Sequence, residues 1–494
     1  MNTSTLAARQ ATATTAPAWA TPVTLPARTA PTQTPPPDDT SRYRRRTRAR
    51  NLRAGSLTVI GWASVAASVA LYLAYGGMYE FDTFPHALTA LGIIAGLVAT
   101  DLMCLMLLLA ARIPYVDRSY GHDRAVALHS RLGTWVLSGL GLHAALLIVG
   151  SAAAEGVSVI EETVSLWSVT DVMLGFVALG LLAAVAVSSV IAVKRALGYE
   201  AWHVIHLTAY VAVGLSIPHQ FSMSGLFADG TWQRWYWIGL YGATVISLLA
   251  FRVMLPLLST AQHGLVVTRV VREAHDVVSI EMRGRHLPEL DVAGGQFLNW
   301  RFLAKGLWWH QHPFSVSAAP TVETLRITVR NLGAGTASLM DLQPGTKVMV
   351  EGPYGTFTDA ARTASGLVLV GFGIGIAPVR ALLESTEVVP GKATVILRAS
   401  RPDELYLVRE IEALCRQRGA RLITLVGPRA IRRTGEASWV PVSHAGLGLA
   451  DLVPHLGQSD VYVCGPQAAT DLVVAEALAA GVPAGAIHHE RFSW

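Results

Sequence analysis

The chain has 494 residues, of which 52% are hydrophobic and only 15% are charged, and it carries a net charge of +5 at pH 7. This composition is too apolar for an ordinary soluble protein, and the length allows about three domains. The three cysteines form no CxxC pair, which argues against an iron–sulfur cluster held by this chain and against a disulfide framework.

Residues 1–54 are predicted to be a disordered, basic cytoplasmic tail. Residues 1–41 are rich in Thr, Ala and Pro and cannot bury enough apolar surface to fold alone. The arginine run at 42–53 could suit nucleic acid, but its place just before an apolar span makes membrane topology the better explanation. No nucleic-acid partner is therefore expected.

Residues 55–256 are predicted to form an all-α bundle of six membrane spans. The apolar runs are long enough to cross a hydrocarbon core about 30 Å thick. They lie at about 55–76, 87–112, 127–150, 168–193, 199–219 and 233–256. Lysines and arginines flank one side of these spans, and acidic residues dominate the loops on the other. Because cytoplasmic loops carry the excess of cations, we expect a multi-pass protein of the plasma membrane with both termini in the cytoplasm.

Paired histidines occur in two of these spans. His129 and His143 lie fourteen residues apart in the third span, and His206 and His219 lie thirteen apart in the fifth. An ionisable side chain is costly inside a bilayer and indicates a functional site, and two imidazoles fill both axial positions of a haem iron. We therefore interpret the four as ligands of two stacked haems, with His129 and His206 on the inner one and His143 and His219 on the outer one.

Helical periodicity supports the two pairs unevenly. Fourteen residues return to within roughly 40° of the same helix face, about 21 Å further along the axis, whereas thirteen residues leave the second pair roughly 140° out of phase. His203 is no better placed relative to His219, so periodicity does not choose between His203 and His206. A single histidine in such a run more often bonds a backbone carbonyl, and only the arrangement as two pairs favours ligation.

After the sixth span the hydrophobic pattern changes to a period of two. Short strands at about 265–284, 325–332 and 347–355 predict an antiparallel β-barrel domain over residues 263–360. From 361 to 494, apolar strands alternate with helical stretches. That alternation predicts a parallel, doubly wound α/β domain of the Rossmann type.

The barrel carries a candidate FAD site. The sequence HPFS at 312–315 places an imidazole, an aromatic ring and a hydroxyl side by side, which suits a flavin that needs an apolar wall and a hydrogen-bond partner near N5. An ordinary strand would also explain the segment, and each nearby glycine could simply form a turn. Candidate FAD-binding residues are His312, Pro313, Phe314, Ser315, Ser317, Gly333, Gly335, Thr336 and Gly352.

The α/β domain carries a candidate nicotinamide-nucleotide site. A strand runs into a glycine-rich turn and a helix at 367–378, which permits close approach to a phosphate. Arg401, after the next strand, could grip a 2′-phosphate with its planar donor fork, so NADPH is preferred while NADH stays possible. Candidate residues are Gly371, Gly373, Gly375, Pro378, Ser400, Arg401, Cys464, Gly465 and Pro466, with Phe492 and Trp494 as aromatic covers of the flavin ring.

Taken in order, these motifs resemble the ferric reductase and NADPH oxidase superfamily over about residues 55–494, and the soluble half looks like a ferredoxin–NADP reductase module. The matching features are six spans with paired histidines, HPFS, a GxxT turn, GPYG, a glycine-rich turn ending in Pro, CGP and a terminal ExF. The resemblance implies two b-type haems, FAD and NADPH. It also implies that His206 rather than His203 is the ligand, and that Ser315, Cys464 and Phe492 are catalytic.

Two positions depart from the pattern of the family. The superoxide-producing branch carries a further histidine where this chain has Leu147, and the family's threonine before the proline is Ala377 here. We therefore expect electron transfer from cytoplasmic NAD(P)H through FAD and two haems to an external small molecule, a ferric chelate. The alternatives are an oxidase that reduces dioxygen to superoxide and, from another class, a haem-binding membrane sensor or scaffold. The oligomeric state stays open.

Overall fold

The computed structural model describes residues 41–190, 193, 199–223, 225–431 and 435–492. Within these ranges, six helices are long and apolar enough to span a membrane, so the predicted six spans are confirmed. These segments are Arg48–Ala74, Phe84–Ala110, Arg124–Glu155, Thr170–Ser188, Ala201–Met223 and Gln233–His263.

The helices of the membrane half are α1 (Ser41–Ala74), α2 (Phe84–Ala110), α3 (Pro114–Tyr120), α4 (His122–Glu155), α5 (Val159–Ser168), α6 (Thr170–Ser188), α7 (Tyr199–Met223), α8 (Gln233–Leu249) and α9 (Leu255–His263). A π-helical turn at Ala250–Met254 joins α8 to α9. Pro256 lacks the N–H that would bond to Arg252, so the widened turn lies where the regular ladder is broken.

The N-terminal boundary differs from the prediction. Residues 41–54 were expected to be disordered, but they form the first turns of α1. This arginine-rich run contains no proline, and arginine is a good helix former. The run therefore extends the membrane helix beyond its apolar span, and residues 1–40 lie outside the described residues.

Glycines bring α2 and α4 into close contact. A Cβ added at Gly139 would lie 3.0 Å from Ala99 Cβ, and one added at Gly150 would lie 2.6 Å from Thr89 Oγ1. Small residues allow membrane helices to approach this closely. By contrast, α7 packs on α6, and α4 and α7 make little direct backbone contact within the described residues. Side chains, rather than backbone, therefore bridge α4 and α7.

The first soluble domain contains two three-stranded antiparallel sheets, with strand orders β1-β2-β5 and β4-β3-β6. Its strands are β1 (Val266–Ala274), β2 (Val277–Arg283), β3 (Phe297–Phe302), β4 (His312–Ser315), β5 (Thr324–Arg330) and β6 (Val348–Tyr354). Only isolated bridges join the sheets, one from β1 to Lys347 and one from Val316 to β5. The predicted barrel is thus a pair of sheets around one buried core, without a continuous closed ladder among the described strands.

The second soluble domain is built on a five-stranded parallel sheet of order β13-β12-β7-β8-β9, as the alternation of strands and helices predicted. These strands are β7 (Gly366–Phe372), β8 (Ala393–Ala399), β9 (Arg421–Val426), β12 (Ser459–Pro466) and β13 (Ile487–Phe492), while β10 (Arg429–Ile431) pairs with β11 (Ala437–Pro441). After a four-residue α10 (Ala334–Ala337), the helices are α11 (Ile376–Ser385), α12 (Val408–Arg418), α13 (Leu449–Leu452) and α14 (Gln467–Ala479).

Candidate functional site

The inner pair of predicted haem ligands faces across the gap between α4 and α7. The imidazole centroids of His129 and His206 are 6.2 Å apart, with the ring planes at 57°. With metal–nitrogen bonds of about 2.0–2.1 Å, two imidazoles on opposite sides of one metal would have centroids roughly 6 Å apart. The spacing therefore fits bis-imidazole ligation. It is His206, rather than His203, whose ring contacts that of His129.

Backbone carbonyls of α2 orient both predicted ligands of α4. His129 Nδ1 lies 3.1 Å from the Met106 carbonyl oxygen, and His143 Nδ1 lies 2.8 Å from that of Gly92. Since a carbonyl oxygen only accepts, Nδ1 carries the proton in each ring and Nε2 has the lone pair. Metal-bound histidines usually donate their other ring N–H in this way, so both rings are prepared to ligate through Nε2.

The outer pair lies against glycines. A Cβ at Gly96 would be 2.5 Å from His143 Nδ1, and one at Gly175 would be 3.1 Å from His219 Nδ1. His219 Nδ1 is buried and has no hydrogen-bond partner among the described residues. Helix α7 continues through Pro218 and carries both of its candidate ligands.

In the soluble half, the HPFS segment forms β4, and all of its residues except His312 line a cleft between the two domains. The cleft residues are Pro313, Phe314, Ser315, Thr328, Val329, Arg330, Leu332, Ile374, Ala377 and Pro378. Trp300 Nε1 donates to the Phe314 carbonyl oxygen at 2.8 Å, and the rings of His312 and Phe314 stack 5.7 Å apart. A mostly apolar wall with a few polar groups is the lining that a flavin ring requires, so these residues fit FAD.

Three groups from distant parts of the sequence converge beside this cleft. Ser315 Oγ donates to Glu490 Oε2 at 3.4 Å, and Glu490 in β13 is the register partner of Cys464 in β12. Burial raises the pKa of the Cys464 thiol well above its usual value, and the charge of Glu490 acts in the same direction. The thiol is therefore neutral at physiological pH. Sequence reasoning missed Glu490, although it begins the terminal ExF.

Other predicted FAD residues have local roles in the structure. Ser317 does not line the cleft, and its hydroxyl accepts from Arg326 Nε at 3.1 Å. Thr336 Oγ1 accepts from the Leu332 N–H at 2.8 Å and closes the turn around Gly333, whose φ of +151° favours glycine. A Cβ at Gly335 would lie 3.7 Å from the His312 ring, so this turn borders β4.

In the glycine-rich turn after β7, some glycines allow close packing and another leaves open space beside the backbone. A Cβ at Gly375 would lie 2.3 Å from the Cys464 carbonyl oxygen, and one at Gly371 would lie 3.1 Å from Ile376 Cα, so both glycines are needed for packing. Gly373, with φ +53°, faces open space and is the position where a phosphate can approach the backbone. Gly465, with φ +154°, packs against Phe372 in the neighbouring turn.

Arg401 is exposed but already paired. Its guanidinium lies 3.2 Å from Asp403 and 3.5 Å from Glu404, while the Ser400 N–H donates to Glu404 at 3.1 Å. A 2′-phosphate would have to compete with these carboxylates. Phe492 ends β13 beside Pro466, and Trp494 lies outside the described residues.

Comparisons with known proteins agree with the motif-based resemblance, which is thereby confirmed. Residues 95–217 match the family described as ferric reductase like transmembrane component. Mouse NADPH oxidase 1 is 28% identical over 166 residues, covering 32% of this chain and 26% of that protein. A flavohemoprotein of Xylella fastidiosa is 26% identical over 211 residues, covering 42% of this chain and 52% of that protein.

Two further comparisons concern the reductase module. The ferredoxin–NAD(+) reductase component of the alkene monooxygenase system of Xanthobacter autotrophicus is 32% identical over 169 residues, covering 32% of this chain and 49% of that protein. The FAD/NAD-binding domain of the Vibrio cholerae nitric oxide dioxygenase covers 47% of this chain and 99% of that structure, at 22% identity and a TM-score of 0.38. The chain thus spans about half or less of the curated relatives it matches.

Proposed function

We propose that this protein transfers electrons across the plasma membrane, from cytoplasmic NAD(P)H through FAD and two b-type haems to a small acceptor outside. The proposal rests chiefly on the facing imidazoles of His129 and His206, 6.2 Å apart. The Nδ1 anchors on α2 and the similarity of residues 95–217 to ferric reductases add to it. Two imidazoles at each iron favour electron transfer over binding of a ligand to the metal.

The residues around the cleft have distinct roles in this proposal. Bound FAD would accept a hydride and release single electrons, which bound haems could then carry across the hydrocarbon. Phe314 and Pro313 form the apolar wall for the flavin ring, and Ser315 with Glu490 holds a proton beside it. The thiol of Cys464 is fully buried and neutral, so it would not act as a nucleophile in this proposal.

The proposed external acceptor is a ferric chelate. Acidic residues such as Glu80, Asp82 and Glu155 lie in the loops opposite the soluble domains, and they would attract a cationic acceptor. The second candidate function is reduction of dioxygen to superoxide, which the similarity to NADPH oxidase 1 favours. Leu147, where the resemblance leads us to expect a histidine in an oxidase, speaks against it.

Anaerobic difference spectroscopy tests the proposal. Purified protein should show flavin and Soret absorbance, and NADPH should produce the reduced haem spectrum. Addition of a cationic ferric chelate should then reoxidise the haems. A protein with no Soret band after expression with ample haem would refute the haem assignment, and flavin that is reduced without haem reduction would favour a sensor or scaffold. Cytochrome c reduction that superoxide dismutase strongly suppresses would reject the ferric acceptor.

A further inference from the structure

A buried ion-pair cluster joins the membrane helices to the first soluble domain. Glu351 in β6 lies 2.6 Å from Arg112, just beyond the cytoplasmic end of α2, and 4.0 Å from Arg252 in the π-helical turn. The side chains of Arg112 and Glu351 are only 17% and 13% exposed. One carboxylate thus contacts arginines from the ends of two spans.

Both oxygens of the Glu351 carboxylate also accept hydrogen bonds from neighbouring side chains. Tyr354 donates its hydroxyl to Oε1 at 3.0 Å, and Gln311 donates its side-chain amide to Oε2 at 2.7 Å. Arg112 also lies over the Tyr354 ring, 5.3 Å from its centroid. Because the ion pair is buried, removal of a single partner is costly, since it leaves an uncompensated charge.

Both charges are retained in the folded state. Burial is the largest single influence and would lower the pKa of Arg112, but Glu351 and Tyr354 together outweigh it and raise that pKa. Burial would likewise raise the pKa of Glu351, yet Arg112 and the hydrogen bond from Gln311 hold it below its usual value. Arg112 adopts φ +61°, where a glycine would be the usual residue after a helix. An arginine kept in this conformation points to a role for its side chain.

This cluster connects the flavin cleft with the inner haem ligands through short stretches of chain. Gln311 immediately precedes β4, whose last three residues, Pro313–Ser315, line the cleft. On the membrane side, Arg112 follows Met106, the anchor of His129, by six residues, which is roughly 9 Å of helix. Helix α2 therefore carries the anchor of the inner ligand, and the docking point of the flavin domain follows two residues after its end.

We propose that Glu351 is a positioning residue that docks the flavin domain on the ends of the second and sixth spans and thereby fixes the separation between flavin and inner haem. The inference rests on the proposed function, since it assigns the cluster a role in the transfer between these two groups. Arg112 and Arg252 belong to the arginines whose distribution predicts the cytoplasmic side of the membrane, and in this proposal they have a second role. They recognise a carboxylate of the reductase module.

A second interdomain ion pair provides the matched control. Arg118 lies 3.1 Å from Asp291, but the two side chains are 62% and 77% exposed. An exposed pair is screened by water and salt and contributes little. Asp291→Asn removes the charge of this pair at nearly constant side-chain volume, as Glu351→Gln does at the buried site.

The test measures flavin and haem reduction separately by anaerobic stopped-flow with NADPH. Glu351→Gln and Arg112→Gln should leave flavin reduction unchanged and slow haem reduction by at least about tenfold, because each breaks a buried pair. The double variant should be no slower than the single ones, since both remove the same interaction. Asp291→Asn should match the wild type. Hydrogen exchange of Val348–Tyr354 should increase in Glu351→Gln and stay unchanged in Asp291→Asn.

The outcomes distinguish a failure of the positioning role of Glu351 from a failure of the proposed electron transfer itself. Haem reduction at the wild-type rate in Glu351→Gln, with unchanged hydrogen exchange, would overturn the positioning role. A fall in flavin reduction of the same size would reduce Glu351 to a general structural residue and overturn it as well. If the wild type itself transfers no electrons from flavin to haem, the proposed function fails, and the exchange data alone then decide whether Glu351 docks the domains.

Discussion

Gly96 offers the sharpest test of the proposed outer haem site, because its lack of a side chain makes room for His143. In Gly96→Ala, the new methyl carbon would lie 2.5 Å from His143 Nδ1 and 2.8 Å from Cε1. Contacts this short force the imidazole to move and to weaken its hydrogen bond to Gly92. Overpacking of this kind costs about 1–3 kcal/mol, which corresponds to roughly 5- to 150-fold weaker ligation.

Haem content of the purified protein measures this effect. We expect the ratio of haem to flavin to fall from two towards one in Gly96→Ala, with the inner haem and NADPH-dependent flavin reduction retained. Gly61→Ala is the control, since its methyl group would meet only Leu105 Cδ1 at 3.7 Å. Two haems per flavin and undiminished external reduction in Gly96→Ala would refute the assignment of His143 as the outer ligand.

Three further changes test the soluble half. Arg401→Ala should raise the KM for NADPH far more than that for NADH, and equal effects would reject a 2′-phosphate contact. Glu490→Gln should slow flavin reduction by about tenfold through loss of one charge-assisted hydrogen bond, with unchanged nucleotide affinity in equilibrium titrations. Burial and the nearby His310 lower the pKa of His312 from 6.5 to about 4. The unfolded chain binds this proton more readily than the folded one. The contribution of neutral His312 to the free energy of unfolding should therefore be fully present above pH 6.5 and should be lost as the pH drops towards 4. Thermal melts should show that His312→Gln flattens this dependence.

Local sequence signals were sufficient for the secondary structure and the order of domains. Apolar runs of more than twenty residues predict membrane helices from hydropathy alone, and the change to alternating strands and helices predicts the parallel sheet. The start of α1 was missed because its arginines were assigned to a disordered tail. Their intrinsic helix propensity, continued by the adjoining span, explains the longer helix.

Side-chain partners that depend on tertiary packing could not be predicted in the same way. The choice between His203 and His206 depends on how α7 is rotated against α6, which no periodicity within α7 determines. Ser315 and Glu490 meet across 175 residues of sequence. Ser317 accepts a hydrogen bond from Arg326 and does not line the cleft, so its contact with FAD stays a prediction that sequence spacing alone could not refine.

The contacts of α2 have a consequence for how this protein can diverge. The acceptors for His129 and His143 are peptide carbonyls, so every residue type at Met106 or Gly92 would supply the same oxygen. Imidazole orientation is therefore insensitive to the chemical nature of the α2 side chains and sensitive only to their bulk. Homologous chains can change much of this helix and keep the two imidazoles aligned, provided that the positions beneath the rings stay small.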